Sequence, residues 1–319
     1  ASSKKKCPFW IKPFILIRFF KLFIFFSFIN FVDGQSEYIY ILGNVQDAGL
    51  PHIGCKHEFC KEKFNEFEEY FTTSIAVVDP VNQKYILFEA SPDLPYQLNY
   101  LEKKIFKKFL LPESVFITHA HIGHYAGLMY FGREALGSNN LKVNALPKMT
   151  KFLQTNGPWS QLVEINNINI QEINFGKKTN HLSNISVTPI KVPHRDEYSE
   201  TAAYEIIGKN KKALFIPDID KWEKWDKNLI ELVQEFDYLL LDATFYDSKE
   251  INRDISEIPH PLVSETISLL DNLTTEDKSK VYFIHMNHTN MMLDPKSDLT
   301  DYILSKGFNI ARLGLKLEL

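Results

Sequence analysis

Cysteine, histidine and surplus positive charge are all scarce in this chain of 319 residues. Of its three cysteines, Cys7 lies in a basic, apolar leader, which leaves Cys55 and Cys60 and hence at most one disulfide. Internal repeats, low-complexity tracts and an obvious linker are absent as well, so the residues after the leader read as one large domain. Positive charge does not dominate either: 36 Lys and Arg stand against 40 Asp and Glu. Residues 1–34 hold six of the former and one of the latter, leaving 30 against 39 and a formal charge of −9. Proteins that bind polyanions present a basic face, so this balance argues against tRNA or DNA as substrate. A small phosphorylated or neutral metabolite fits it better.

The leader itself is informative. Lys4, Lys5 and Lys6 precede an apolar stretch from Phe14 to Ile29, and Val32, Asp33 and Gly34 offer a cleavage point before Gln35. Residues 1–34 therefore read as a secretory signal peptide and 35–319 as the mature domain, exported to a periplasmic or extracellular location. After cleavage no membrane contact is expected. Uncleaved, the apolar stretch comes near the length of a span and would serve as an anchor.

Histidine is rare but clustered. Three of the ten, His119, His121 and His124, fall within six positions, directly after the apolar run Ser114 to Ile117. That run reads as a buried strand and 125–136 as a helix. A strand-to-helix turn carrying three imidazoles suits a metal, because neutral nitrogens converge there without bulky side chains between them. Further strands are expected at 38–42, 75–78, 85–88, 187–192, 203–207, 213–216, 238–241 and 281–284. Helices are expected at 93–108, 147–154, 227–235, 261–270 and 296–305. Strands in runs, with helices interspersed, imply packed mixed sheets flanked by helices.

The spacing resembles the H-x-H-x-D-H signature of the metallo-β-lactamase superfamily, with Gly123 where that family places aspartate. Order and strand context continue the resemblance: His194 after an apolar run, Asp218 after Lys212 to Pro217, and His285 after Val281 to Ile284. Two branches are most similar, the cyclic-phosphate phosphodiesterases of phosphonate breakdown and the pyrroloquinoline-quinone biosynthesis protein B group. The opening Leu42-Gly43-Asn44-Val45-Gln46-Asp47-Ala48-Gly49 looks like both.

The resemblance implies an α/β (α+β) fold, a four-layer αβ/βα sandwich with one or two divalent metals (zinc, manganese or iron) at one sheet edge. His119, His121 and His194 would hold the first metal with Asp218 as bridge; Asp218, His124 and His285 would hold the second. Glycine at 123 weakens that second position unless Asp220, Asp196 or Asp242 substitutes. The resemblance also makes His260 a candidate proton donor to a leaving group, alongside Asp218 as a catalytic residue. Asp242 and Asp220 are expected to support the ligands from behind, and Arg195 to contact a substrate phosphate. Cys55, His57 and Cys60, completed by His288, resemble a structural zinc site of the phosphodiesterase branch, with His57 where that branch carries a cysteine. A Cys55–Cys60 disulfide is the competing possibility in an exported protein.

These expectations converge on a metal-dependent hydrolase, phosphodiesterase-like, acting on a small phosphorylated or cyclic-phosphate metabolite. An iron-dependent oxygenase and a catalytically inactive metal-binding protein are the alternatives, and a homodimer is an assembly that analogy allows.

Overall fold

Alternation along the strands decides how the layers stack. In β1 (Tyr38–Gly43) every residue is buried, yet successive side chains enter different cores. Ile39 and Ile41 join one cluster, whereas Tyr38, Tyr40 and Leu42 join another. The same two-residue period divides β2 (Ser74–Asp79) and β3 (Lys84–Phe88), because neighbouring side chains leave a strand on opposite faces.

The computed structural model describes residues 36–65, 70–250, 254 and 257–319, so the segment 1–34, expected to be a signal peptide, lies outside the described residues. After β3 come β4 (Val115–Phe116), β5 (Leu141–Ala145), β6 (Ile168–Glu172), β7 (Thr179–His181) and β8 (Ile185–Lys191). They are followed by β9 (Ala202–Ile207), β10 (Lys212–Ile216), β11 (Tyr238–Asp242), β12 (Val281–Ile284), β13 (Asn309–Ile310) and β14 (Lys316–Glu318). Among the described residues they form two seven-stranded sheets, ordered β14-β1-β2-β3-β4-β5-β6 and β13-β12-β11-β10-β9-β8-β7.

Ile39, Val77, Ile86, Phe88 and Phe116 of the first sheet meet Val187, Tyr204, Phe215, Leu240 and Ile284 of the second in a shared core. The outer face of the first sheet packs on helices Leu94–Leu101, Pro147–Thr155 and Trp159–Glu164. The outer face of the second packs on Leu229–Glu235, Val263–Leu269 and Asp298–Ser305. Helix, sheet, sheet, helix: this is the four-layer αβ/βα sandwich. No helix among the described residues is long and apolar enough to cross a membrane.

Strand direction places the chemistry. β1 and β3 both run antiparallel to β2, and β4 runs parallel to β3, so all three end at one edge of their sheet. In the second sheet β8 and β10 both oppose β9, and β11 and β12 run parallel to β10. The residues that follow these strands are therefore gathered at the strand ends.

Two expected helices are interrupted. Residues 125–136 do not form one helix: a single turn, Ile122–Tyr125, passes into a 3-10 turn, Ala126–Phe131. The Gly127 amide donates to Ala90 O at 2.8 Å, and a Cβ at 127 would lie 2.9 Å from that same oxygen, so the chain is drawn against the end of β3. The expected helix 93–108 gives way after Leu101 to a π-helical turn that stops at left-handed Lys107. Strands β5, β6, β7, β13 and β14 escape the pattern; several are short or polar and hold their shape by pairing with a neighbour.

Candidate metal centre

β4 ends at Phe116, and the chain bends at Ala120 and His121 before the next helical turn. His121 then occupies the N-cap position of Ile122–Tyr125. His194 follows β8, Asp218 follows β10, and Asp242 closes β11. His285 directly follows β12 with φ +64°, a left-handed backbone uncommon outside glycine that turns its ring toward the rim.

Three groups of donors result, one of them Asp218, Asp242, His260 and His285, which overlaps the other two. In the first of those two, His119 Nε2 and His194 Nε2 each lie 3.3 Å from Asp218 Oδ2, and His121 Nδ1 lies 3.9 Å away. In the second, Asp47 Oδ1 lies 3.1 Å from His124 Nε2 and 3.3 Å from His285 Nε2. Asp218 Oδ2 is also 3.6 Å from His124 Nε2, so one carboxylate oxygen stands between these two groups. Within each group the donor atoms lie within 4.8 Å of one another.

The rings are held from behind. Glu197 accepts from His121 Nε2 at 2.9 Å, which leaves the lone pair on Nδ1, the atom facing Asp218. Thr244 Oγ1 donates its one proton to Asp242 Oδ1 (2.7 Å) and so can only accept from His285 Nδ1 at 3.0 Å, leaving the His285 lone pair on Nε2. Thr118 Oγ1 lies 2.8 Å from His119 Nδ1, and Glu89 Oε1 lies 3.5 Å from His124 Nδ1.

Charge and unsatisfied polar atoms point the same way. His119 Nε2, both nitrogens of His124, and Asp218 Oδ1 are buried without a hydrogen-bond partner. Buried polar atoms normally find one, so this concentration asks for a ligand. Burial and the nearby His124 push His119 well below the ordinary imidazole range. Burial would also depress His124, yet Glu89 and Asp47 drive it well above that range. Burial would raise Asp218 and Asp47, but His194 and His260 hold the first, and His124 and His285 the second, well below the usual carboxylate range. Anionic oxygens facing imidazole lone pairs form a donor set that fits a divalent cation.

His260 lies beside this set. Its Nδ1 is 2.8 Å from Asp242 Oδ2 and 3.1 Å from Asp218 Oδ1, against the opposing effect of burial, and the two carboxylates raise it to about 10. The residue lines a cavity of about 490 Å³ together with Arg195, Gln46, Glu250, His52 and His288. Arg195 is half exposed and 3.6 Å from Glu197.

The carboxylates weighed as substitutes at 123 are engaged elsewhere. Asp220 binds the Lys221 amide and Lys224 Nζ, and it is its backbone amide, donating to Pro193 O, that steadies the His194 loop. Asp196 accepts from Thr201. Asp242 is close, but its oxygens already accept from the Ile219 amide, Thr244 and His260. It braces His260 directly, and His285 only through Thr244.

Cys55 and Cys60 are free thiols, which removes the disulfide. No three of Cys55, His57, Cys60 and His288 bring donor atoms within 4.8 Å. His52, a residue without motif support, stacks on His288 at 3.9 Å, and its amide donates to Cys60 Sγ at 3.0 Å. Asp47, Glu89, Glu197, Thr244 and Glu250 also carry no role in the sequence reading. Asp47 had a signal in the opening 42–49, Glu197 in the family-like stretch 192–201 and Thr244 in the family-like stretch 242–245.

The beta-lactamase superfamily domain model matches residues 84–286. Coenzyme PQQ synthesis protein B of Methylococcus capsulatus is 25% identical over 309 residues, covering 88% of this chain and 99% of that protein. Zn(2+)-bound PqqB from Methylobacterium extorquens shares the fold with a TM-score of 0.74 at 20% identity, covering 88% of this chain and all of that one (100%). A diphosphatase from the PhnP family gives a TM-score of 0.61 at 22% identity, covering 89% and 98%.

Proposed function

The chain belongs to the beta-lactamase superfamily, and from that premise we propose that it is a metal-dependent hydrolase cleaving a phosphodiester or cyclic phosphate in a small metabolite. The observation that carries this reading is the set of three overlapping His/Asp donor groups, linked through Asp218 and His285, beside a polar cavity. Likeness to a PhnP-family diphosphatase lends the phosphate chemistry further support.

A bound divalent cation supplies Lewis acidity, activating water and neutralising charge on a phosphoryl oxygen. The chain's own residues do the rest. His119, His121 and His194 offer lone pairs from a rigid strand-end frame, and Asp218 stands between them and His124. His260 has Nδ1 hydrogen-bonded to Asp242 with Asp218 3.1 Å away, which leaves Nε2 and its proton for a leaving oxygen. Arg195 on the rim is a fork-shaped donor suited to a phosphate. The acidic balance of residues 35–319 favours a small substrate over nucleic acid. We read residues 1–34 as a removable leader and the mature domain as exported.

A second reading, oxidation chemistry with bound iron, draws on the relatives named coenzyme PQQ synthesis protein B. One experiment separates the two. The mature chain, loaded in turn with manganese, zinc and ferrous iron, is assayed on bis(p-nitrophenyl) phosphate and nucleoside 2′,3′-cyclic phosphates, with oxygen uptake followed in parallel. Chelator-sensitive hydrolysis that His121→Ala abolishes supports the hydrolase. Oxygen uptake with iron and no hydrolysis by any metal would replace it with the second reading. Metal binding without either reaction would leave a metal-binding protein.

A further inference from the structure

Glycine at 123 removes an anionic ligand from the histidine turn, and Asp47 stands where that ligand's side chain would begin. A Cβ placed on Gly123 would lie 2.5 Å from the Asp47 Cα and 2.6 Å from its Cγ. Real Cβ atoms do not approach other atoms so closely, and the obstacle includes backbone, which cannot swing aside as a side-chain tip can. Residue 123 and the loop after β1 therefore compete for one volume, and the chain has given it to the loop.

That loop is pinned. The Gln46 amide donates to Met286 O and the Met286 amide to Asn44 O, both at 2.8 Å. The Thr73 amide donates to Val45 O at 2.8 Å, and the Asn44 side-chain amide to Ala311 O at 2.7 Å. Gly49 closes a turn onto Gln46 O at 2.9 Å, with Asp47 and Ala48 at its corners. Met286 follows His285, so the same backbone pairing sets both the Asp47 carboxylate and the His285 ring. His124, 1% exposed, completes the group with neither ring nitrogen hydrogen-bonded.

We propose that Asp47 is the anionic ligand of a second cation site, with His124, His285 and the shared Asp218, and that glycine at 123 is what admits it. The proposal rests on the metal-centre reading above. It moves one ligand from the histidine turn to the loop after β1, so that loop becomes part of the site.

The test is equilibrium dialysis of the purified mature chain against Mn(II), with electron paramagnetic resonance reporting whether two ions are coupled. Manganese is a hard cation with little affinity for the thiols of Cys55 and Cys60. The wild type is expected to bind two ions. Asp47→Ala should keep one and bind the other at least about tenfold more weakly, with loss of the coupled signal. Asp47→Asn, which preserves shape but not charge, should do the same. Gly123→Ala should lose the same ion with Asp47 intact, because its methyl group displaces the loop. Two ions bound at wild-type affinity by both Asp47 variants would overturn the proposal, as would a wild type that binds one ion whatever stands at 47. Either result leaves the metal-dependent hydrolase standing. A wild type that binds none would overturn both readings.

Discussion

Two clusters of metal-type ligands reach the same cavity, one through His260 and the other through His288, and they are built to different standards. In the His/Asp centre, nine residues bring donor atoms to within 4.8 Å of one another in three overlapping groups. Around Cys55, His57, Cys60 and His288 no such group closes, although His52 and His288 stack and Cys60 accepts from a backbone amide. The difference follows from what carries the ligands. Residues just beyond paired strands inherit the geometry of the sheet, and Glu197, Thr118 and Thr244 fix their rings from behind. His52, Cys55 and His57 sit on an irregular loop, where a metal would have to organise its own ligands. Preorganisation is thus a property of the centre alone.

The comparison breaks most visibly at Asp218, the only residue shared by the proposed ligand sets of both ions. Asp218→Ala should weaken Mn(II) binding by more than about 100-fold for both ions at once. Retention of either ion at wild-type affinity, measured by dialysis, would show the two groups to be independent. Thr244→Val tests the bracing. It removes the hydroxyl that orients His285 and satisfies Asp242. We expect about 10–100-fold weaker binding of one ion and a stability loss of about 1–3 kcal/mol by denaturant unfolding. Unchanged affinity would mean that β12 alone orients the ring.

A smaller effect is expected at the cysteine cluster. Zinc at 100 times its dissociation constant should stabilise the wild type by about 2.7 kcal/mol more than Cys55→Ser/Cys60→Ser. It should also protect both thiols from a thiol reagent. Thiols that stay reactive in saturating zinc would rule out a metal there.

The smallest effect belongs to Glu250, which lines the cavity that both clusters reach. Burial lifts its carboxyl to about 7, despite donors from Thr289 and the Tyr246 amide. A folded-state value above the unfolded one means the folded chain holds the proton more tightly. The resulting stabilisation is full below the ordinary carboxylate range and is lost as pH rises toward about 7. Glu250→Gln should flatten that decline in melting temperature, and an unaltered slope would remove Glu250 from the account.

Legibility from sequence differed residue by residue. His119, His121 and His124 were readable because one turn carries all three; His194, Asp218 and His285 because each follows an apolar run that ends a strand. Of the candidate replacements for the aspartate absent at 123, Asp220 and Asp196 each lie two residues from a ligand, Asp218 and His194, whereas Asp242 ends a strand of its own. Nearness in sequence misled there: Asp220, two residues from Asp218, pairs with Lys224. Asp47 is 238 residues from the His285 it approaches, and no local pattern encodes that meeting. The broken helix after Tyr125 was hidden likewise, since the cause is the backbone of Ala90 and Ser91 pressing on Gly127.

The sequence by itself determined the periodicity of the strands, the acidic balance, the histidine turn and the order of ligands behind it. These are local properties, written in spacing and residue type. The tertiary structure alone decided which carboxylate meets His124 and His285 and which hydroxyl orients a ring. It also decided that the cysteine cluster stays open, and that glycine at 123 leaves room for a loop. Those outcomes depend on strand order and on backbone atoms competing for volume, and such contacts between distant segments exist only once the two sheets have packed.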